Sequence, residues 1–101
     1  MRYEPTALGW VDFETSAAPD WDRAQVRRLA RRLGYELIWL SDDTVLNLVD
    51  AVRAEDVDAV ITPAPNHLDL VTLNRLMTLA DIETACPRTS FARWAVFGAG
   101  A

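Results

Sequence analysis

Arg32-Leu33-Gly34-Tyr35-Glu36-Leu37-Ile38-Trp39-Leu40-Ser41-Asp42-Asp43 (RLGYELIWLSDD) changes its periodicity at a single glycine. Upstream, Val26, Leu29, Ala30 and Leu33 recur at i, i+3, i+4 and i+7, the stripe of a helix with one buried face. Gly34 follows the last of them. Glycine ends helices because it enters left-handed backbone without a Cβ clash. Downstream, Tyr35 to Leu40 is a short apolar run with aromatic and β-branched members and predicts a strand. Ser41-Asp42-Asp43 then supplies a turn and a cap for a second helix, in which Val45, Leu48, Val49 and Val52 repeat the first helix's spacing.

The same alternation extends in both directions. Ala7 to Phe13 reads as a buried strand. A loop through Thr15-Ser16-Ala17-Ala18-Pro19 separates it from the first helix, with Asp20 as the expected N-cap and Asp22 in the first turn, where the helix dipole favours an acid. After the second helix, Val57 to Ile61 predicts a third strand, stopped by Thr62-Pro63-Ala64-Pro65. Asn66 is the expected cap of a third helix over Leu68 to Leu79. That helix is apolar over a wide arc and is expected to be well covered. Ala80 to Ala85 predicts a fourth strand, closed by Pro87. The order β-α-β-α-β-α-β implies right-handed crossovers. The expected fold is therefore α/β and three-layered, with a mainly parallel four-stranded sheet. Residues 1–87 form one domain in this reading, and residues 88–101 a short aromatic tail.

The chain has 101 residues, a size that suits one small domain. Its net charge of −5 disfavours the phosphate backbone of nucleic acid and anionic membrane surfaces. No segment approaches the roughly 20 apolar residues that span a bilayer. Met1-Arg2-Tyr3-Glu4-Pro5 is polar with no apolar run behind it, so no signal peptide is expected and the expected location is cytoplasmic. Cys86 is the single cysteine and His67 the single histidine. A thiolate zinc cluster is thereby excluded, and any histidine-dependent catalysis would rest on His67 alone. Cys86 reads as a buried structural thiol and His67 as a surface or capping residue.

Ligands of open parallel sheets bind at the carboxyl ends of the strands. Those ends carry Asp12 and Glu14, then Ser41, Asp42 and Asp43, then Asn66 and His67. Asp12, Glu14, Asp42 and Asp43 could together hold Mg²⁺, a hard cation that takes oxygen ligands, in an enzyme or a phosphate-receiving domain. The same Asp residues serve equally as caps and solvated strand ends. No glycine-rich phosphate loop follows strand one, and Asp20 sets a negative charge where a phosphate would sit. No cofactor is expected. On the first helix Arg23, Arg27 and Arg31 recur every four residues beside Arg28 and Arg32. They form a solvated face, or a docking face for an acidic partner or a second copy. In the tail, Phe91, Arg93 and Trp94 belong to residue types that dominate interface energy. They either fold back on the core or contact a partner.

The order and spacing of these segments resemble the N-terminal catalytic domain of serine recombinases, the resolvase/invertase family. The resemblance covers residues 6 to 86, through GWVDFET (Gly9–Thr15), RLGYELIWLSDD and VDAVITPAPNHLDL (Val57–Leu70). It implies a resolvase-like fold. The family reads Tyr-x-Arg-Val-Ser-Thr at strand one, so Trp10 stands at its Tyr, Asp12 at its Arg and Glu14 at its nucleophilic Ser. After strand three it reads Asp-Arg-Leu-x-Arg, so Asn66 stands at the Asp, His67 at the first Arg and Leu70 at the second. The resemblance implies attack of a serine hydroxyl on a DNA phosphodiester, with arginines neutralising the transition state. Two carboxylates at those positions repel a phosphate. The expectation is a domain without recombinase catalysis. It would act through protein contacts in a regulatory, adaptor or self-association role, with a homo-oligomer or another protein as partner. A remnant DNA-binding accessory protein is the further alternative.

Overall fold

The structure is a computed structural model and describes residues 4–40 and 47–93. Strand β1 (Thr6–Gly9) leads into helix α1 (Pro19–Leu33), strand β2 (Glu36–Trp39), helix α2 (Leu48–Glu55) and strand β3 (Ala59–Thr62). A short 3₁₀ turn over Pro65–His67 precedes helix α3 (Leu70–Met77), and strands β4 (Asp81–Ala85) and β5 (Arg88–Phe91) close the chain order. The sheet order is β2-β1-β3-β4-β5. The first four strands pair in parallel and β5 returns antiparallel to β4, with Ile82 opposite Phe91.

The α/β class and the parallel core agree with the sequence expectation. The strand count does not, because the described residues form a sheet of five strands where four were expected. Arg88–Phe91, expected as the start of a tail, pairs along β4 instead. The hairpin is cemented on one face, where Glu83 of β4 meets Arg88 at 2.9 Å and accepts a hydrogen bond from Ser90.

Alternation along the strands makes two cores. Leu8, Val60 and Ile82 point to the face covered by α2 and α3, where they meet Leu48, Val52, Leu68 and Leu76. Ala7, Ala59 and Ile61 point to the face covered by α1, where they meet Val26, Leu29 and Ala30. Successive strand side chains face opposite ways, so every β1 and β3 residue is buried. No helix among the described residues is long and apolar enough to cross a membrane.

Helix boundaries show which local signals won. Gly34 ends α1 as expected, with φ 82° and its N–H bonded back to Ala30 and Arg31. Asp20 is not the cap. Pro19 already lies inside the helix, Ala18 holds the cap position, and Asp20 joins Asp22 in the first turn. Proline suits that first position because its missing N–H would have had no helical partner there. Asn66 is not a cap either. It lies within the 3₁₀ turn, and Asp69 caps α3 by accepting from the Thr72 N–H at 2.7 Å and the Thr72 hydroxyl at 3.0 Å. The α3 helix is shorter than expected and less covered, since Leu70 and Val71 remain 71% and 62% exposed. Strand β1 stops at Gly9 rather than Phe13. The expected turn Ser41-Asp42-Asp43, with Val45, lies outside the described residues.

Candidate functional site

The order β2-β1-β3 makes the chain leave β1 and β3 in opposite directions, and doubly wound sheets hold ligands in the crevice this opens. Here that crevice is laced by the protein's own groups. Beyond Gly9, the Trp10 N–H donates to the Ile61 carbonyl at 2.9 Å. The Trp10 indole N–H donates to the His67 carbonyl at 3.1 Å, and the Asp12 N–H donates to His67 Nδ1 at 2.9 Å. An Nδ1 that accepts places the proton of the neutral ring on Nε2, which lies 3.8 Å from Asp22 Oδ2. Asp22 in turn accepts from the Ser16 hydroxyl. His67 is only 6% exposed. It is not the surface or capping residue expected. It is the buried pin joining the loop after β1 to the turn after β3 and the first turn of α1.

Asp12 is also committed locally. Its carboxylate accepts from the Glu14 N–H at 3.1 Å and the Thr15 hydroxyl at 2.8 Å, and its carbonyl accepts from the Thr15 and Ser16 N–H groups. This is the self-bonding turn that short carboxylates favour. Glu14 is exposed beside it. Asp42 and Asp43 lie outside the described residues. Among the described residues no group of three or more His, Cys, Asp or Glu is placed to hold a metal ion.

Next to this pin is a cleft of about 1140 Å³ between α2 and α3, lined by Trp10, Glu14, Asn47, Asp69 and Arg75 among others. Its polar groups are largely engaged. Asn47 caps α2 by accepting from the Asp50 N–H at 2.9 Å, and Asp50 pairs with Arg53 at 3.6 Å. The Thr72 N–H and hydroxyl hold the Asp69 carboxyl below the usual range. Both signs of charge line the walls, so the cleft offers no uniform field for an anion or a cation.

The expected arginine group divides. Arg23 is half-buried and stacks on the Trp39 ring, 4.2 Å from its centroid, an interaction of the cation–π type. Trp39 lies across β1 so closely that a Cβ built on Gly9 would approach its ring to 2.7 Å. Arg23 therefore belongs to the packing. Arg27, Arg28, Arg31 and Arg32 are exposed, and among the described residues none of them has an ion-pair partner.

The expected tail group divides as well. Phe91 is a strand residue packed against the core under α2 and α3, not a free contact. Arg93 is exposed, and its N–H donates to Asp81 at 2.6 Å. Trp94 lies outside the described residues. Cys86 is exposed rather than buried.

Among the described residues four large apolar side chains, Phe13, Trp21, Leu70 and Val71, stand exposed without a motif to mark them as functional. Phe13 is 57% exposed and Trp21 61%, and all four lie close in the chain to the residues of the His67 pin. Phe13 follows Asp12, Trp21 precedes Asp22, and Leu70 and Val71 open the helix after His67. The signal for Trp21 was in the periodicity, because it falls outside the buried stripe of Val26, Leu29, Ala30 and Leu33. Comparisons with protein-family models, with curated proteins and with solved structures find no match.

Proposed function

We propose that this chain is a resolvase-like α/β domain without recombinase catalysis, and that it acts by binding protein through the outward face of α1. The observation that carries the reading is the state of that face. Four arginines, Arg27, Arg28, Arg31 and Arg32, have no ion-pair partner among the described residues, and Trp21 is 61% exposed on the same helix. Arginine and tryptophan are the residues that most often dominate interface energy. The basic end of this face, on a chain of net charge −5, selects acidic groups on a partner's surface. The filled crevice supports the absence of strand cleavage. His67 and Asp12 hold each other where the resemblance calls for arginines, and Glu14 adds a negative charge where it calls for a serine.

Affinity capture from the native host, with the wild-type chain against Arg28→Glu/Arg31→Glu, tests the proposal. The wild type is expected to retain a protein that the variant loses. A gel shift with duplex DNA at low salt runs beside it, because the same arginines would serve a phosphate backbone. No shift is expected. Salt-sensitive retention of DNA that disappears in the variant would overturn the protein-contact reading in favour of a DNA-binding one.

A further inference from the structure

The outward face of α1 is complementary to itself. Trp21, Ala24, Arg28 and Arg31 recur at i, i+3, i+7 and i+10, a stripe on the side opposite Val26, Leu29, Ala30 and Leu33. One end of this stripe is acidic and aromatic, with exposed Asp20 and Trp21. The other end is basic, with exposed Arg27, Arg28, Arg31 and Arg32. The middle is the small residue Ala24. A helix of 15 residues with opposite character at its two ends matches a copy of itself laid antiparallel.

We infer that the partner of this face is a second copy of the chain, with the two α1 helices packed antiparallel about a two-fold axis near Ala24 and Arg28. The inference rests on the reading of α1 as the contact face. In this arrangement Asp20 and Trp21 of one copy meet Arg31 and Arg32 of the other, and Ala24 meets Arg28. The two-fold makes every such contact twice, which is the geometry of most closed homodimers. A guanidinium over the Trp21 ring repeats what Arg23 already does on Trp39 within one copy. The small Ala24 lets the helix axes approach where they cross. The two helix dipoles run opposite to each other, and each basic end faces a negative partner. The opposed faces extend about 22 Å at 1.5 Å per residue. A contact of that extent belongs with the smaller, weaker interfaces, so assembly depends on concentration and salt.

A charge exchange tests the pairing. Variant one is Arg31→Glu/Arg32→Glu and variant two is Asp20→Arg. Each alone sets like charges against each other at both ends of the dimer. Mixed one to one, they restore opposite charges at both ends. Sedimentation at low salt is expected to give twice the 11.3 kDa chain mass for wild type, the chain mass for each variant alone, and twice the chain mass for the mixture. Raising the salt is expected to dissociate the wild type. Circular dichroism checks that both variants fold, and Trp21→Ala offers a neutral route to the same loss of dimer. A dimer that survives both variants, or variants that dissociate and fail to recombine, would overturn the inference. A wild type that stays at the chain mass at its highest soluble concentration would overturn it too. In that last case, capture of a host protein that is lost with Arg28→Glu/Arg31→Glu would leave the contact-face reading standing, and failure of capture would remove both.

Discussion

At the scale of single residues, Gly9 decides how the α1 face is built. It is paired in register with Trp39 of the neighbouring strand, and the Trp39 ring lies over it where a side chain would otherwise stand. Arg23 closes the stack from above. Gly9→Ala inserts a methyl group at 2.7–2.9 Å from three atoms of that ring. The ring cannot retreat without disturbing Arg23 and the edge strand that carries it. Overpacking of this kind costs about 1–3 kcal/mol. Urea denaturation of Gly9→Ala is expected to show a lower midpoint with an unchanged slope, and a stability equal to wild type would show that the stack yields freely. The glycine was visible in the sequence as part of GWVDFET. Its reason was not, because the tryptophan it makes room for lies on another strand.

At the scale of elements, the sequence was most informative where a boundary depends on neighbours in the chain. Gly34 ends α1 because its own backbone takes φ 82°, and the four-residue spacing before it fixes which face is buried. The start of α3 is a different case. Asn66 and Asp69 are both able to cap, and Asp69 prevails because its carboxylate takes two hydrogen bonds from Thr72 while Pro65 commits Asn66 to a 3₁₀ turn. Strand β5 was hidden for a third reason. Four residues after a proline carry little periodicity, and their pairing depends on contacts such as Ile82 with Phe91. His67 was hardest of all, since its partner Asp12 lies 55 residues away in the chain. Where a cap is local, its energetic role is also local. Asn47 accepts the Asp50 N–H at the start of α2, a helix of only eight residues. Asn47→Ala leaves that donor to solvent and is expected to cost about 1 kcal/mol, within the 0.5–2 kcal/mol usual for such caps. The midpoint of thermal unfolding should fall accordingly, while Asn47→Asp should retain the cap and most of the stability.

At the scale of the whole molecule, charge is sorted by position. Arg27, Arg28, Arg31 and Arg32 of α1 face outward on one layer, while Asp58 and Asp81 stand at the amino edge of the sheet and Glu83 within it. Tyr35, the residue that enters β2, feels this sorting. Burial is the largest cause raising its hydroxyl above the ordinary value of 10.0, and the nearby charges of Asp81, Glu83 and Asp58 raise it further. Both causes act in the same direction, because each disfavours the phenolate. A group whose folded value lies above its unfolded value binds its proton more tightly in the native state. Its contribution to stability is therefore complete below about pH 10, and it is lost as pH rises from there through the raised folded value. Tyr35→Phe removes the titration while keeping the ring. The stability difference between wild type and Tyr35→Phe, measured by urea denaturation at a series of pH values, should be flat through neutrality. It should then shift against the wild type above about pH 10. Asp81→Asn removes the largest charge contribution, so it should make the wild-type alkaline decline shallower without abolishing it, because burial remains. A difference that stays constant across the alkaline range would mean that Tyr35 ionises as it does in the unfolded chain, and that the carboxylates of the amino edge do not reach it.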